Sequence, residues 1–307
     1  MPQQIQRQGV IYALCAYTLW GIAPIYFKTI SAVPAAEILT HRMIWSCVLL
    51  MVLTLAGRQW HKVQAVLRQP KVLLTLAFTS VTVGGNWLLF IWAINNGHML
   101  DASLGYYINP LFNVLLGMVF LNEKLRRLQW WAVALAFAGV AIQLIAFGSL
   151  PWIALVLASS FAIYGLVRKK LALDALTGLL IETMIMLPPA AIYLWGFADS
   201  PTSHLTQNDW HLNLLLIAAG AVTTAPLLCF TAAATRLKLS TLGFFQYIGP
   251  SLMFILAVTL YGEELAMDKA LTFACIWSAL LIFTLDGLRN GKRPAATSNI
   301  KLSKSNP

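Results

Sequence analysis

Between residues 9 and 288 the chain alternates long apolar runs with short polar connections. The runs occupy 9–29, 35–56, 72–94, 102–121, 128–147, 150–168, 175–197, 212–234, 240–261 and 269–288. Each is close to the roughly 20 residues that a helix needs to cross ~30 Å of hydrocarbon. Unbonded backbone groups find no partner in lipid, so only helices or closed barrels span it. Barrel strands would show segments of about 10 residues with polar and apolar positions alternating, and this sequence has none. The pattern predicts an all-α polytopic membrane protein with ten transmembrane helices. The first run follows Arg7 and precedes the small-residue stretch SAVPAA (31–36), as in a signal peptide. Its length, and a counterpart in the second half, favour a retained span.

A repeat lies inside this alternation. INPLFNVLLGMVFLNEKL (108–125) returns 140 residues later as IGPSLMFILAVTLYGEEL (248–265), with Pro110 matching Pro250 and Glu123 matching Glu263. Leu88/Leu228, Phe90/Phe230, Ala93/Ala233, Tyr107/Tyr247 and Ile108/Ile248 keep the same offset. The first spans match best at 141, with Ala13/Ala154, Leu14/Leu155 and Ile22/Ile163, while SLGYY (103–107) echoes TLGFF (241–245) at 138. The expected organisation is a tail (1–8), a five-helix repeat (9–147), a second repeat (150–288) and a basic tail (289–307). Five spans is an odd number, so the second copy enters the membrane upside down, as in many secondary transporters. An interior proline removes one helical hydrogen bond and clashes with the preceding turn. Pro110 and Pro250 are therefore expected as paired kinks beside a cavity, although Pro24, Pro188, Pro189 and Pro226 show that prolines are common here.

Composition agrees with the pattern. The chain is 59% hydrophobic and 10% charged, whereas a soluble domain is nearer a quarter charged. A net charge of +10 does not signal nucleic acid, because the basic residues lie in the connections and no binding motif accompanies them. With the N-terminus inside, eighteen of the 21 Lys and Arg fall in cytoplasmic segments; Lys28 and Lys269 lie outside and Arg42 lies within a span. That asymmetry places both termini in the cytoplasm. Cys15, Cys47, Cys229 and Cys275 sit in apolar runs without paired spacing and read as small buried hydrophobes.

Charges inside spans are costly, roughly 2.5–3.5 kcal/mol at mid-membrane on insertion scales, and tend to face a bundle interior. Glu37, His41 and Arg42 share the second span, and Glu182 lies about two turns into the seventh. They are candidates for a substrate or proton site, with structural ion pairing as the alternative. Asn86, Trp87, Trp92 and Asn95 on the third span, with Tyr106, Asn109 and Asn113 on the fourth, add a polar and aromatic face suited to an amphipathic organic molecule. Interhelical hydrogen bonding accounts for each Asn equally well. Tyr164 and Gln246 in the second half, and Trp20 and Tyr26 in the first span, complete the candidate set; Trp20, Tyr26 and Trp152 also suit an interfacial belt.

LWGIAPIYFK (19–28), EILTHRMIWS (37–46), NWLLFIWAINNG (86–97), LGYYINPLFN (104–113), SFAIYGLVRK (160–169), IETMIMLPPA (181–190) and YIGPSLMFILAV (247–258) resemble the EamA branch of the drug/metabolite transporter superfamily. The resemblance implies a ten-helix bundle of two EamA repeats, residence in a bacterial inner membrane and a permease role, in a group associated with chloramphenicol resistance. It names no ligand residue. The expected protein is a secondary carrier for a small organic metabolite or drug, working by alternating access. Export follows from the resemblance, and uptake is the alternative. A proton or solute gradient would drive it, since G-x-x-x-x-G-K-[ST] is absent. No cofactor or metal is expected. An intramembrane enzyme built on Glu37, His41 and Glu182, or a receptor without transport, are the other classes; HExxH is absent.

Overall fold

Each apolar run is helical over most of its described residues. The computed structural model describes residues 3–95, 98–148, 151–203, 205–260 and 267–291. The first half contains α1 (Gln3–Thr29), α2 (Ala35–Ala56), α3 (Trp60–Leu67), α4 (Pro70–Asn95), α5 (Met99–Leu121) and α6 (Arg127–Phe147). The second contains α7 (Trp152–Leu171), α8 (Ala175–Gly196), α9 (Trp210–Arg236), α10 (Leu239–Gln246), α11 (Ile248–Thr259) and α12 (Met267–Gly291). No strand occurs among the described residues. Ten stretches are long and apolar enough to cross a membrane, so the chain is a polytopic helical membrane protein. Ile145 and Val81, 81% and 73% exposed, lie on the surface that lipid would cover.

Three details differ from the sequence pattern. The first helix begins at Gln3, because QQIQRQ contains no breaker and its residues continue a helix well. The basic connection 57–71 holds a short amphipathic helix, α3, whose buried Val63 and Val66 pack with Leu76, Leu179 and Leu180. The ninth span is divided at Tyr247 into α10 and α11. Pro250 has no amide hydrogen to offer Gln246 O, which accounts for a break in the turn before it. Pro110 sits within the continuous α5. The matched prolines therefore have unlike consequences.

The most extensive helix junctions join the first half to the second: α6 with α12, α5 with α7 and α10, α1 with α9 and α11, α2 with α8 and α9, and α4 with α7 and α8. Substituting α7 for α1, α8 for α2, α9 for α4, α10/α11 for α5 and α12 for α6 maps this set of junctions onto itself. The halves interleave instead of forming two separate bodies. Small residues permit the close crossings, as is usual between membrane helices. A Cβ on Gly243 would lie 2.8 Å from Pro110 O, and one on Gly220 would lie 2.5 Å from the Trp45 backbone.

Candidate functional site

A cavity of about 210 Å³ lies between the halves. Trp20, Pro24 and Phe27 of α1, Arg42 of α2, and Asn86, Trp87 and Phe90 of α4 form one part of its wall. Tyr106 and Asn109 of α5 continue it, as do Leu157 and Phe161 of α7 and Gln246, Gly249 and Pro250 around the α10–α11 break. In most of these helices the lining residues occupy the middle and the half away from the basic connections. The cavity therefore extends from mid-bundle toward the less basic end. Toward the basic end, Tyr17, Tyr164, Phe230, Leu239 and Leu242 belong to one buried cluster that fills the bundle there.

Polar contacts fasten that basic end. Asn122 ends α5 in the left-handed region (φ 52°), and the Asn122 and Glu123 N–H groups both donate to Gly117 O, the latter at 3.1 Å, so the chain turns sharply as the helix ends. The turn directs Glu123 to the start of α10. There its carboxylate accepts from Leu239 N (2.6 Å), Ser240 N (2.9 Å) and Ser240 Oγ (2.6 Å). A carboxylate at a helix N-terminus meets both free amides and the favourable end of the helix dipole. Lys169 Nζ donates to Ala234 O (3.1 Å) and Leu237 O as α9 ends, and Arg126 pairs with Asp286. Glu123 entered the sequence reading only as a repeat marker; its partner Glu263 lies outside the described residues.

Arg42 is the charged group in the cavity wall among the described residues. Its Nε donates to Thr223 Oγ1 at 2.8 Å, and Thr223 donates in turn to Ala219 O at 2.8 Å. The guanidinium lies 5.4 Å from the Phe27 ring centre and 5.2 Å from that of Trp87. Such cation–π contacts contribute ~0.5–2 kcal/mol, less than the roughly 2.5–3.5 kcal/mol insertion cost of a mid-membrane charge. Among the described residues no carboxylate forms an ion pair with it.

The amides hold helices together as well as lining the space. Asn86 Nδ2 donates to Leu157 O and Ser160 Oγ, both at 2.8 Å, and Asn109 Nδ2 donates to Ala158 O at 2.7 Å. Asn113 Nδ2 reaches Asn109 Oδ1 (2.9 Å) and Gln246 Oε1 (2.8 Å). One polar chain thus links α7, α5 and α10. For Asn109 the interhelical bond and the cavity face coexist: its amide bonds across to α7 while the residue lines the cavity.

The structure brings together Trp20, Arg42, Asn86, Trp87, Tyr106, Asn109, Gln246 and Pro250 at the cavity. Other candidates lie elsewhere, most of them held by a nearer partner. Glu182 is buried among Thr79 Oγ1 (2.6 Å), Tyr164 OH (3.3 Å) and Arg168 Nη1 (3.8 Å). The void beside it is about 10 Å³, no larger than one water requires. Arg168, the last residue of the sixth apolar run, is 2% exposed. Glu37 accepts from Thr202 Oγ1 at 2.8 Å, and His41 is buried with neither ring nitrogen hydrogen-bonded. Tyr26 OH donates to Leu215 O at 2.6 Å, tying α1 to α9. Trp92 packs near His98 and Trp152, Asn113 stands behind Asn109, and Pro110 backs onto Gly243. The Asn95 side chain lies outside the described residues. Phe27, Phe90 and Phe161 were missed, because an aromatic in an apolar run reads the same whether it faces lipid or a cavity.

The model of the EamA-like transporter family matches residues 7–145. The chain is 66% identical to Protein RarD of Salmonella typhimurium, over 94% of this chain and 98% of that protein. It is 64% identical to an uncharacterized transporter of Vibrio cholerae, over 94% of this chain and 96% of the other. A protein crystal structure, 18% identical, covers 92% of this chain and 99% of its own with a TM-score of 0.72, which speaks to the fold alone.

Proposed function

The chain belongs to the EamA-like transporter family, and on that footing we propose that it is a secondary carrier moving a small amphipathic organic solute across the bacterial inner membrane. It is a membrane transporter and not an enzyme. The observation that carries the finer reading is the cavity of about 210 Å³ lined from both halves and closed off toward the basic end. Residues 9–147 and 150–288 act as inverted repeats in this reading, supported by the way the helix junctions map onto one another. Rocking of the halves would open the basic end as the far end closes. The charge bias puts the basic end in the cytoplasm, so the described state faces outward. Export is the proposed direction, driven by a proton or solute gradient.

Proteoliposomes loaded with radiolabelled solutes, chloramphenicol among them, test this reading. Protein-dependent movement of at least one solute down an imposed gradient is expected. A panel that moves no faster than in empty liposomes would refute it. Reporters fused after Ser203 and at the C-terminus should read opposite sides of the membrane.

A further inference from the structure

We propose that the solute selected by this cavity is an organic anion, with one carboxylate held by Arg42 and an apolar body packed on the surrounding rings. The inference rests on the carrier reading and gives it a substrate class. Arg42 is held in place by the protein and meets no counter-charge among the described residues. Because the Thr223 hydroxyl donates to Ala219 O at 2.8 Å, its lone pair is presented to Arg42 Nε, also at 2.8 Å. Phe27 and Trp87 hold the guanidinium within 5.4 Å and 5.2 Å of their ring centres. Its two terminal nitrogens make no hydrogen bond to the described residues and belong to a side chain that lines the cavity. A fixed guanidinium with those nitrogens free matches the two oxygens of a carboxylate.

The remainder of the wall favours the same class. Rings and aliphatic groups dominate it, and its other polar members are the amides of Asn86, Asn109 and Gln246, the phenols of Tyr17 and Tyr106 and the indoles of Trp20 and Trp87, none of them ionised at neutral pH. Among the described residues no carboxylate lines the cavity to receive an ammonium group. An amine would instead meet Arg42, and like charges in a medium of reduced dielectric repel strongly. A zwitterionic amino acid gains at one end and loses at the other. The site thus separates acids from their amides and amines when the apolar body is the same.

Full-length protein in nanodiscs tests this with 3-phenylpropionate, 3-phenylpropanamide and 3-phenylpropylamine at pH 7.4, a series of anion, neutral molecule and cation on one body. Quenching of Trp fluorescence reports binding, since Trp20 and Trp87 line the cavity. The acid should bind at least tenfold more tightly than the amide, with the amine weaker still. The Arg42→Gln protein should lose the difference between acid and amide, and Arg42→Lys should keep part of it. Equal binding of acid and amide by the unaltered protein, a measurement that needs no variant to fold, would overturn the inference. So would an acid preference that survives in Arg42→Gln. If chloramphenicol, which is uncharged at this pH, is transported while the acid neither binds nor moves, the anion assignment fails and the carrier reading stands. If none of the four compounds binds or moves, both fail.

Discussion

The α2–α9 and α8–α4 junctions occupy corresponding places in the proposed repeat, and both carry charge within the membrane. At α2–α9, Arg42 meets among the described residues one hydroxyl, from Thr223, and the rings of Phe27 and Trp87 beside it, and its remaining hydrogen-bonding capacity faces a cavity. Across α8–α4, Glu182 is enclosed by Thr79 and Tyr164 and lies 3.8 Å from Arg168, itself 2% exposed. One junction neutralises its charge internally and leaves room for about a water. The other leaves its charge for something that arrives. A buried charge in a membrane helix is therefore a weak sign of function until its partners are counted, and the missing counter-charge is the informative feature.

The largest expected effect breaks the neutralised junction. Glu182→Leu strands Arg168 in the interior, and breaking a buried pair on one side costs about 3–5 kcal/mol. Thermal unfolding in detergent should show a large loss for Glu182→Leu and substantial recovery on adding Arg168→Met. Such recovery is expected because apolar replacement of a whole buried pair is often neutral. A Glu182→Leu protein that unfolds like its parent yet fails to transport would reverse the roles assigned to the two junctions.

Arg42→Leu sharpens the same contrast from the other side. It removes a charge that no described carboxylate compensates and whose contacts do not cover its insertion cost, so the protein should melt no lower than its parent. Transport should nevertheless fall by roughly tenfold or more, the equivalent of ~1.4 kcal/mol in solute binding. Monodispersity and melting temperature measured beside initial transport rates separate the two quantities.

The sequence revealed the spans because crossing hydrocarbon leaves little freedom in length or charge. It also pointed to Arg42, since a cation in a span carries a cost that has to be met somewhere. It was less informative about Glu182, which looks the same in one dimension but finds Thr79 a hundred residues away. The rings at Phe27 and Phe161 gave no signal at all, because apolar helices bury and expose aromatics alike. Helix α3 was legible in principle: Val63, Val66 and Leu67 keep helical spacing inside a connection read only for its basic residues.

Glu123→Gln weakens the fastening at the basic end without removing its hydrogen-bonding shape. Helix-terminus charge is worth about 0.3–1 kcal/mol at exposed sites and up to ~2 when partly buried, enough to shift a two-state balance several-fold. With the four native cysteines replaced, a cysteine at Gly249 should become more reactive from the cytoplasmic side in Glu123→Gln than with Glu123 intact. Unchanged labelling would mean that the Glu123 contact does not hold that end closed.

The smallest effects concern the matched prolines. Pro250→Ala restores an amide that can donate to Gln246 O, and the break at Tyr247 should partly heal. The local structure resists full healing: Tyr247 OH donates to Tyr107 O at 3.2 Å, while Tyr247 O accepts from Ser251 N and Oγ at 3.1 and 2.7 Å. Trp277 adds a further contact through Ser251 Oγ at 2.9 Å. Pro110→Ala restores an amide within a helix that is already continuous, at a residue whose carbonyl packs close to Gly243. Both changes should stabilise modestly, since an interior proline costs ~3 kcal/mol in an isolated helix and packing recovers most of it. Only Pro250→Ala also stiffens a joint that lines the cavity, between segments that follow different neighbours: α10 packs mainly on α5, and α11 on α1. If that joint lets α11 move with α1 while α10 stays with α5, exchange between the two access states slows more in Pro250→Ala than in Pro110→Ala. Equal slowing would mean that the prolines act as a symmetric pair despite their unlike helices.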